Sequence, residues 1–297
     1  MKILECFVYF ILKILSILPS KVQFFLGRFL GVIFFISFRE RREISRWNLK
    51  KCFPEKSEAE INSILKKSFI RLGESLFEFL NAFWASNKKL KKLIINFNDI
   101  EKTTKNLNPS KGKLILFMHT PNLDLVVRTA SLFMPVSGMA RPQSNKIVDN
   151  LFKASRKKFT ERIFNPKEIL ELLNYLKIGK ACLYAPDQDY GYKNSIFVNF
   201  FGHKALTVKF PYIAKKRANC DVYLFSLEKK GFKYKAYLEK LLLDGMNMEE
   251  DLSQINHKIE EFISKHPENY LWSHRRFKNR PKGEESFYPQ DLLRRRG

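Results

Sequence analysis

The chain has 297 residues, with 45% hydrophobic side chains, 54 Lys and Arg, and 30 Asp and Glu. The hydrophobic fraction excludes a disordered chain, and the length leaves one large domain or two average ones open. The formal net charge of +24 predicts a polyanionic partner, either nucleic acid, an anionic membrane surface or a phosphorylated substrate. The 28 phenylalanines, many near the N-terminus, favour lipid among these.

The cysteines and histidines give no sign of a metal site or a bound cofactor. The cysteines are not paired as CxxC, and none of the five histidines has the spacing of a metal-binding motif. We therefore predict no metal, no cofactor and a reduced setting for all four cysteines, which are Cys6, Cys52, Cys182 and Cys220.

The N-terminal segment is the most apolar part of the chain. Residues 7–18 and 22–38 are two apolar blocks, each interrupted by one basic residue, with Pro19-Ser20-Lys21 between them. This tripeptide predicts a helix break with Ser20 as the new N-cap. We predict that residues 1–38 are a membrane-anchoring helix or helical hairpin, the alternative being a buried hairpin of a soluble domain. Six basic residues follow directly after residue 38: Arg39, Arg41, Arg42, Arg46, Lys50 and Lys51. Lys and Arg are common at the cytoplasmic ends of membrane helices and next to anionic headgroups.

The rest of the chain, residues 39–297, alternates between helical and strand patterns. Ser57 and Glu60 form a capping-box pattern that opens a helical stretch from 57 to 95, and residues 101–112 have loop composition. Buried strands are predicted at 114–118 and 181–185, a hairpin at 221–227 and 232–238, and a late helix at 246–266. This alternation predicts one α/β catalytic domain with a central sheet flanked by helices.

The sharpest local feature is His119-Thr-Pro-Asn-Leu-Asp124, directly after a predicted strand. With Thr120 as N-cap and Pro121 as the first helical residue, His119 and Asp124 occupy the positions that meet across a helix start. A histidine oriented by a carboxylate can take a proton from an attacking hydroxyl. Without further context, a packed histidine beside an unrelated aspartate explains the same spacing.

Further motifs give that context, because they resemble the lipid A late (secondary) acyltransferase family in order and over nearly the whole chain. That family carries a His-x4-Asp/Glu catalytic motif, which residues 119–124 match. The other matching segments are residues 48–55 (Asn-Leu-Lys-Lys-Cys-Phe-Pro-Glu), 141–145 (Arg-Pro-Gln-Ser-Asn) with Asp149, 184–191 (Tyr-Ala-Pro-Asp-Gln-Asp-Tyr-Gly), 195–198 and 200–202 (Ser-Ile-Phe-Val and Phe-Phe-Gly), and 272–283 (Trp-Ser-His-Arg-Arg-Phe-Lys-Asn-Arg-Pro-Lys-Gly).

The resemblance implies a glycerolipid-acyltransferase-like fold and an activity. It implies transfer of a fatty acyl chain from acyl carrier protein to a hydroxyl of a Kdo2-lipid A precursor, with His119 and Asp124 as the catalytic pair. It also implies a bacterial inner membrane enzyme whose catalytic domain faces the cytoplasm. The chain departs from the family in having Asp124 where glutamate is common, and Thr-Pro-Asn-Leu where Phe/Tyr-Gly-Asn-Trp is common. Acyl length and the acylated hydroxyl stay open.

Seven further residues are predicted to bind substrate. A guanidinium binds phosphate through two parallel hydrogen bonds, so Arg141 could hold a phosphate of the acceptor or of the donor. Polar residues that follow a buried strand could position sugar hydroxyls, although a structural turn explains them equally well. The other six are Asn145, Asp187, Gln188, Asp189, Arg275 and Arg276.

Two other functions compete with this interpretation. One is acylation of a different lipid, such as a phosphoglycerolipid or a phosphatidylinositol mannoside. The other is a non-catalytic protein that binds nucleic acid or membrane through charge alone, with no role for His119. No nucleic-acid-binding module is recognisable in the sequence, so we expect no nucleic-acid partner.

Overall fold

The computed structural model describes residues 3–293, with side chains from residue 7 onward. It begins with two apolar helices, α1 (Ile3–Ile17) and α2 (Ser20–Ser37). The break between them is confirmed, but the predicted N-cap at Ser20 is wrong, because Pro19 holds that position and Ser20 is the first helical residue. The Cys6 side chain lies outside the described part.

Four helices follow before the first strand: α3 (Arg39–Cys52), α4 (Glu58–Trp84), α5 (Asn87–Leu93) and α6 (Phe97–Lys105). The capping box is confirmed, since Ser57 Oγ accepts from the Glu60 backbone N–H and the Glu60 carboxylate accepts from the Ser57 N–H. The predicted helical stretch is two helices, interrupted where Ser86 caps α5. Part of the predicted loop at 101–112 is helical, because α6 extends to Lys105.

A six-stranded sheet forms the centre of the fold, in the order β3-β2-β4-β1-β7-β8. Its first five strands run parallel and β8 is antiparallel to β7. The predicted α/β class is therefore confirmed. The strands are β1 (Lys113–Leu116), β2 (Ser137–Met139), β3 (Ile163–Phe164), β4 (Ala181–Tyr184), β7 (Asp221–Lys230) and β8 (Lys233–Leu241).

Helices cover both faces of this sheet, and a small antiparallel hairpin stands apart from it. The hairpin consists of β5 (Ser195–Phe200) and β6 (His203–Val208). Sequence patterns predict β1, β4, the β7–β8 pair and the last long helix, but not the hairpin or the short β2 and β3. The remaining helices are α7 (Leu123–Ala130), α8 (Lys146–Arg156), α9 (Ile169–Lys177), α10 (Phe210–Ala218), α11 (Met248–Lys265) and α12 (Gln290–Leu293).

The pairing of β1 with β4 decides which loops meet. Leu116 pairs with Tyr184, and each is the last residue of its strand. Because parallel strands end at the same edge of a sheet, the loops after β1 and β4 leave side by side. β2 pairs with the other side of β4 and adds a third loop at this edge.

Helix α2 packs on α4 through glycines. A Cβ on Gly73 of α4 would lie closer than 3.0 Å to backbone atoms of Gly27 and Gly31 on α2. Helix backbones can approach this closely only where side chains are absent. Among the described helices, α2 is the one long and apolar enough to cross a membrane.

Candidate active site

A cavity of about 770 Å³ lies at the edge of the sheet where β1, β2 and β4 end. Its volume is in the range of small-molecule sites. Polar groups from three loops meet apolar side chains in its wall. The polar lining includes His119, Asp124, Arg141, Arg156 and Gln188, and the apolar lining includes Leu72, Val127, Phe152, Ile163, Ile169, Phe210 and Ile213.

His119 is bound to Asp187 at the base of this cavity. The distance from His119 Nδ1 to Asp187 Oδ1 is 2.7 Å, and the His119 backbone N–H donates to Asp187 Oδ2 at 2.9 Å. A carboxylate can only accept, so Nδ1 carries the proton and Nε2 is left as the basic nitrogen. Nε2 has no hydrogen-bond partner among the residues that the structure describes.

The two residues meet because of strand register. His119 lies three positions after Leu116, and Asp187 lies three positions after its partner Tyr184. The Asp187 side chain is fully buried, whereas 19% of the His119 side chain is exposed. Burial acts to raise the pKa of the Asp187 carboxyl, but the charge and hydrogen bonds of His119, aided by Arg276, outweigh it, so its pKa lies below the usual range.

The loop of residues 270–274, near the C-terminal end of the chain, also contacts the segments that carry His119 and Asp187. The Leu271 backbone N–H donates to the His119 carbonyl at 3.0 Å, and the Tyr270 hydroxyl donates to the Asp187 carbonyl at 3.4 Å. The imidazole of His274 accepts from the Asp189 backbone N–H at 3.2 Å. Burial and the charge of Arg276 lower the pKa of His274 to about 3, so this second histidine is neutral.

The first and last motifs of the sequence meet behind this loop. The Asn48 amide donates to the carbonyls of Trp272 and His274, at 2.7 and 2.9 Å, while its oxygen accepts from the Tyr288 hydroxyl at 2.7 Å. The Trp272 ring packs edge-on against Phe53. The motif at 48–55 therefore supports the loop at 270–274, which in turn supports His119.

Asp124 does not orient His119, which corrects the predicted pairing. Asp124 Oδ1 accepts from Arg156 Nε at 2.8 Å, and no hydrogen bond joins it to His119 in the described chain. The predicted helix start is also wrong. Thr120 is not the N-cap; a turn through Pro121 and Asn122 precedes α7, so Asp124 is its second residue and faces α8.

Arg141 stands free at the cavity wall. Its guanidinium lies 4.8 Å from the centre of the Tyr190 ring, and it forms no salt bridge with any described residue. The surrounding motif holds the loop in shape. Asn145 Oδ1 caps α8 by accepting from the N–H groups of Ile147 and Val148, and Asp149 accepts from the Gln143 N–H at 2.8 Å.

The remaining predicted binding residues divide into two groups. Gln188 lines the cavity, whereas Asn145 does not, and Asp189 is buried, where it accepts from Gly191 and Asn279. Arg275 donates to Glu40 and to the Leu292 carbonyl, at 2.6 Å in both cases.

Arg276 is also committed to internal partners. It is 2% exposed and donates to the Leu206 carbonyl and to Thr207 Oγ1. None of Asn145, Asp189, Arg275 and Arg276 lines the cavity, and their substrate roles stay predictions.

Sequence patterns miss Arg156, Tyr190 and Leu271 as parts of the site. Nothing local distinguishes Arg156 among 54 basic residues. The sequence marks Asp187 for sugar binding, and its partnership with His119 requires the β1–β4 register. The sequence shows that both residues follow short buried strands, but it does not show that these strands are neighbours or in which register they pair.

Comparisons with known proteins identify the family of the chain. The model of the family of bacterial lipid A biosynthesis acyltransferases matches residues 2–279. The chain is 30% identical to the lipid A biosynthesis palmitoleoyltransferase of Escherichia coli over 277 residues, covering 91% of this chain and 90% of that one. It is 29% identical to the lauroyltransferase of the same organism, again over 91% and 90%. Identity to the myristoyltransferase is 24%, over 90% and 83%. The chain thus belongs to the family of bacterial lipid A biosynthesis acyltransferases.

Proposed function

We propose that the protein transfers a fatty acyl chain from an acyl-carrier-protein thioester to a hydroxyl of a Kdo2-lipid A precursor. The observation that carries this proposal is the hydrogen bond from His119 Nδ1 to the buried Asp187, which leaves Nε2 free at a large, partly apolar cavity. Family membership supports lipid A as the pathway, and the basic net charge suits both an acidic carrier protein and a phosphorylated acceptor.

The proposed reaction uses His119 as base and then as acid. Nε2 takes the proton of the acceptor hydroxyl while the hydroxyl oxygen attacks the thioester carbonyl carbon. The tetrahedral intermediate collapses by breaking the carbon–sulfur bond, and the imidazolium returns the proton to the departing thiolate. Asp187 holds the ring in the required tautomer and stabilises its positive charge. The products are an ester and the free thiol of the carrier.

Two arginines supply positive charge at the cavity. Arg141 has no carboxylate partner among the described residues, so it is available for a phosphate or for the developing oxyanion. Arg156 is held at the wall by Asp124. On this basis Asp124 is a positioning residue. Its carboxylate orients the guanidinium of Arg156 and does not orient His119.

The apolar wall suits the acyl chain. Leu72, Phe152, Ile169 and Ile213 line the same cavity as His119, so a hydrocarbon chain has apolar partners there. Burying each methylene group stabilises a bound chain by about 0.8 kcal/mol. We therefore place the acyl group against these side chains, with its thioester carbon at Nε2.

The proposed location is the bacterial inner membrane, with the catalytic domain on the cytoplasmic side. The observation behind it is the exposed apolar surface of the first two helices, which includes Phe10 and Phe25 at 61% and 66% exposure. Exposed apolar patches of this size are typical of membrane or protein contacts.

The experiment is an acyl-transfer assay read by mass spectrometry. Purified enzyme receives acyl carrier protein loaded with chains of several lengths, and either a Kdo2-lipid A precursor or a lysophosphoglycerolipid. We expect the mass of one acyl group to be added to the Kdo2 glycolipid alone. His119→Ala should lower the rate about 10²- to 10⁴-fold, whereas His257→Ala, on the exposed face of α11, should not. Transfer only to the lysolipid, or normal transfer by folded His119→Ala, would overturn the proposal.

A further inference from the structure

The second helix has two faces of opposite character. One face carries Gln23, Gly27 and Gly31, which are buried. The other face is a continuous apolar stripe at helical spacing, which we call the α2 stripe. Its members are 38–67% exposed and carry no charge: Val22, Phe25, Leu26, Phe29, Val32, Ile33 and Ile36.

The buried face of α2 packs on α4 along nearly its whole length. Near the start of α2, the Asn81 amide donates to Gln23 Oε1 at 3.0 Å. Near its end, the ring of Phe35 packs edge-on against Phe69, with centroids 5.7 Å apart. These contacts span about twelve residues of α4, or roughly 18 Å of helix. Any position of α2 relative to a membrane therefore also fixes the position of α4.

A buried ionic network lies on α4 beside this contact, where Arg28 of α2 is 3.8 Å from Glu74. Arg71 donates to Glu74 and to Glu78, the latter at 3.1 Å. Lys229 of β7 donates to the same two carboxylates at 2.7 and 2.9 Å. The network therefore fixes the stretch of α4 behind α2 to the central sheet.

This packing is incompatible with α2 crossing a bilayer. An 18-residue helix is about 27 Å long, close to the roughly 30 Å thickness of the hydrocarbon core. If α2 crossed the core, it would carry residues 69–81 of α4, the ionic network and strand β7 into hydrocarbon. The network alone holds four ionisable groups, which are rare at that depth.

We propose that α1 and α2 lie in the plane of one leaflet, with the α2 stripe among the acyl chains of an anionic lipid surface. Basic side chains border the stripe as this arrangement requires: Lys13, Lys21, Arg28 and Arg39 are exposed. At the tip of the β7–β8 hairpin, Phe232 packs against Phe24 and is itself 45% exposed.

The same geometry brings the cavity to the lipid surface. Leu72 lines the cavity, and Leu76, one turn further along α4, is 44% exposed. An acyl chain that enters from the leaflet along this side of α4 would pass Leu76 and then Leu72. This step rests on the proposed lipid substrate, whereas the in-plane attachment does not.

The test uses two serines at opposite ends of α2. Ser20 and Ser37 are both exposed. Each is changed to cysteine in the full-length Cys6→Ser protein, in which Cys52, Cys182 and Cys220 are buried. A membrane-impermeant maleimide is applied to spheroplasts and to inside-out vesicles of an expressing Gram-negative bacterium. In-plane attachment predicts that Ser20→Cys and Ser37→Cys react from the same side, in the same preparation.

The outcomes separate the two arrangements without reference to activity. Reaction of the two cysteines from opposite sides would show that α2 spans the membrane and would overturn the proposal. Reaction of Ser37→Cys with no reaction of Ser20→Cys before detergent would place the turn in hydrocarbon, and would also overturn it. Because labelling does not depend on turnover, failure of the acyl-transfer assay would leave this result intact.

Discussion

At the scale of single residues, two carboxylates near His119 have different partners and should respond differently to the same change. Asp187→Asn removes the charge that orients the base, so we expect kcat to fall by roughly 10²- to 10⁴-fold. Asp124→Asn frees Arg156 and leaves the His119–Asp187 pair in place. It should raise KM more than it lowers kcat. Steady-state kinetics of both variants decide the matter, and a larger loss of kcat in Asp124→Asn would restore Asp124 as the partner of the base.

Arg141 tests whether the cavity recognises a planar phosphate contact or only positive charge. Arg141→Lys keeps the charge but loses the two parallel hydrogen bonds, so we expect kcat/KM to fall about 10-fold or more. Arg128→Lys is the matched control, because Arg128 also lies over an aromatic ring but does not line the cavity. Unchanged kinetics for Arg141→Lys would exclude a bidentate role.

His274 makes the stability of the fold depend on pH. Its folded-state pKa is about 3, against an ordinary value of 6.5, so the unfolded chain binds a proton that the folded chain does not. The free energy of unfolding should therefore fall as the pH falls from 6.5 towards 3, by at most about 1.4 kcal/mol per pH unit from this group.

Thermal unfolding of His274→Gln between about pH 7 and pH 4 checks this expectation. The variant should lose the part of the pH dependence that belongs to His274. His257→Gln, exposed on α11, should keep the wild-type dependence. Parallel pH curves for wild type and His274→Gln would contradict it.

At the scale of elements, α2 and α4 depend on glycine at their contact. Gly73→Ala would normally stabilise a helix by about 1 kcal/mol. Here the added methyl group would overlap backbone atoms of Gly27 and Gly31, which cannot move aside cheaply. We expect net destabilisation of about 1–3 kcal/mol, as for an overpacked core. Gly138→Ala is the control, because no heavy atom lies within 4 Å of the place that its methyl group would occupy. Equal unfolding midpoints for the two variants would disprove the tight contact.

Sequence patterns predict the long helices and strands correctly, but they miss the shortest strands. Long periodic stretches predict α4, α11 and the β7–β8 pair, because each buries one face at a regular spacing. The two-residue β3 and three-residue β2 have too few positions for a period to appear. The start of α7 is misplaced because Thr120 and Pro121 suit a helix start, whereas a turn displaces it to Leu123.

The proposed catalytic pair of His119 and Asp187 escapes prediction for a different reason. The spacing of His119 and Asp124 is local, but the partner that the histidine has in the structure is 68 residues away. That contact depends on strand order and register, which tertiary packing decides. Tertiary packing also brings Arg156 and Leu271 to the site, and no local sequence pattern marks either residue.

At the scale of the whole molecule, the first 38 residues serve two purposes that can be separated. Phe25→Asp with Phe29→Asp changes the α2 stripe but leaves the face packed on α4 intact. We expect this variant to keep its unfolding midpoint and to lose sedimentation with phosphatidylglycerol vesicles. Leu242→Asp, at a position outside the stripe that is 80% exposed, should bind vesicles normally. If the Leu242→Asp variant also lost vesicle binding, the α2 stripe would have no specific role in that binding.

Removal of residues 1–38 should have a broader effect. It uncovers Gly73 and Glu74 on α4, so we expect a lower unfolding midpoint or aggregation as well as loss of vesicle binding. The division of the chain into residues 1–38 and 39–297 stays a prediction. A truncated protein that is monomeric and as stable as the full-length chain would support two independent units and contradict the packing argument.

The loop around Tyr270 has a consequence for the order in which activity arises during synthesis. It follows every strand of the described chain, yet it supplies the hydrogen bonds to the carbonyls of His119 and Asp187. Asn269, beside it, accepts from Arg71 of the ionic network. A ribosome-bound chain can therefore lay its apolar helices on the lipid surface long before its base is held in position. On the proposed mechanism, the late place of this loop in the sequence means that His119 and Asp187 are fully held only once the chain is nearly complete.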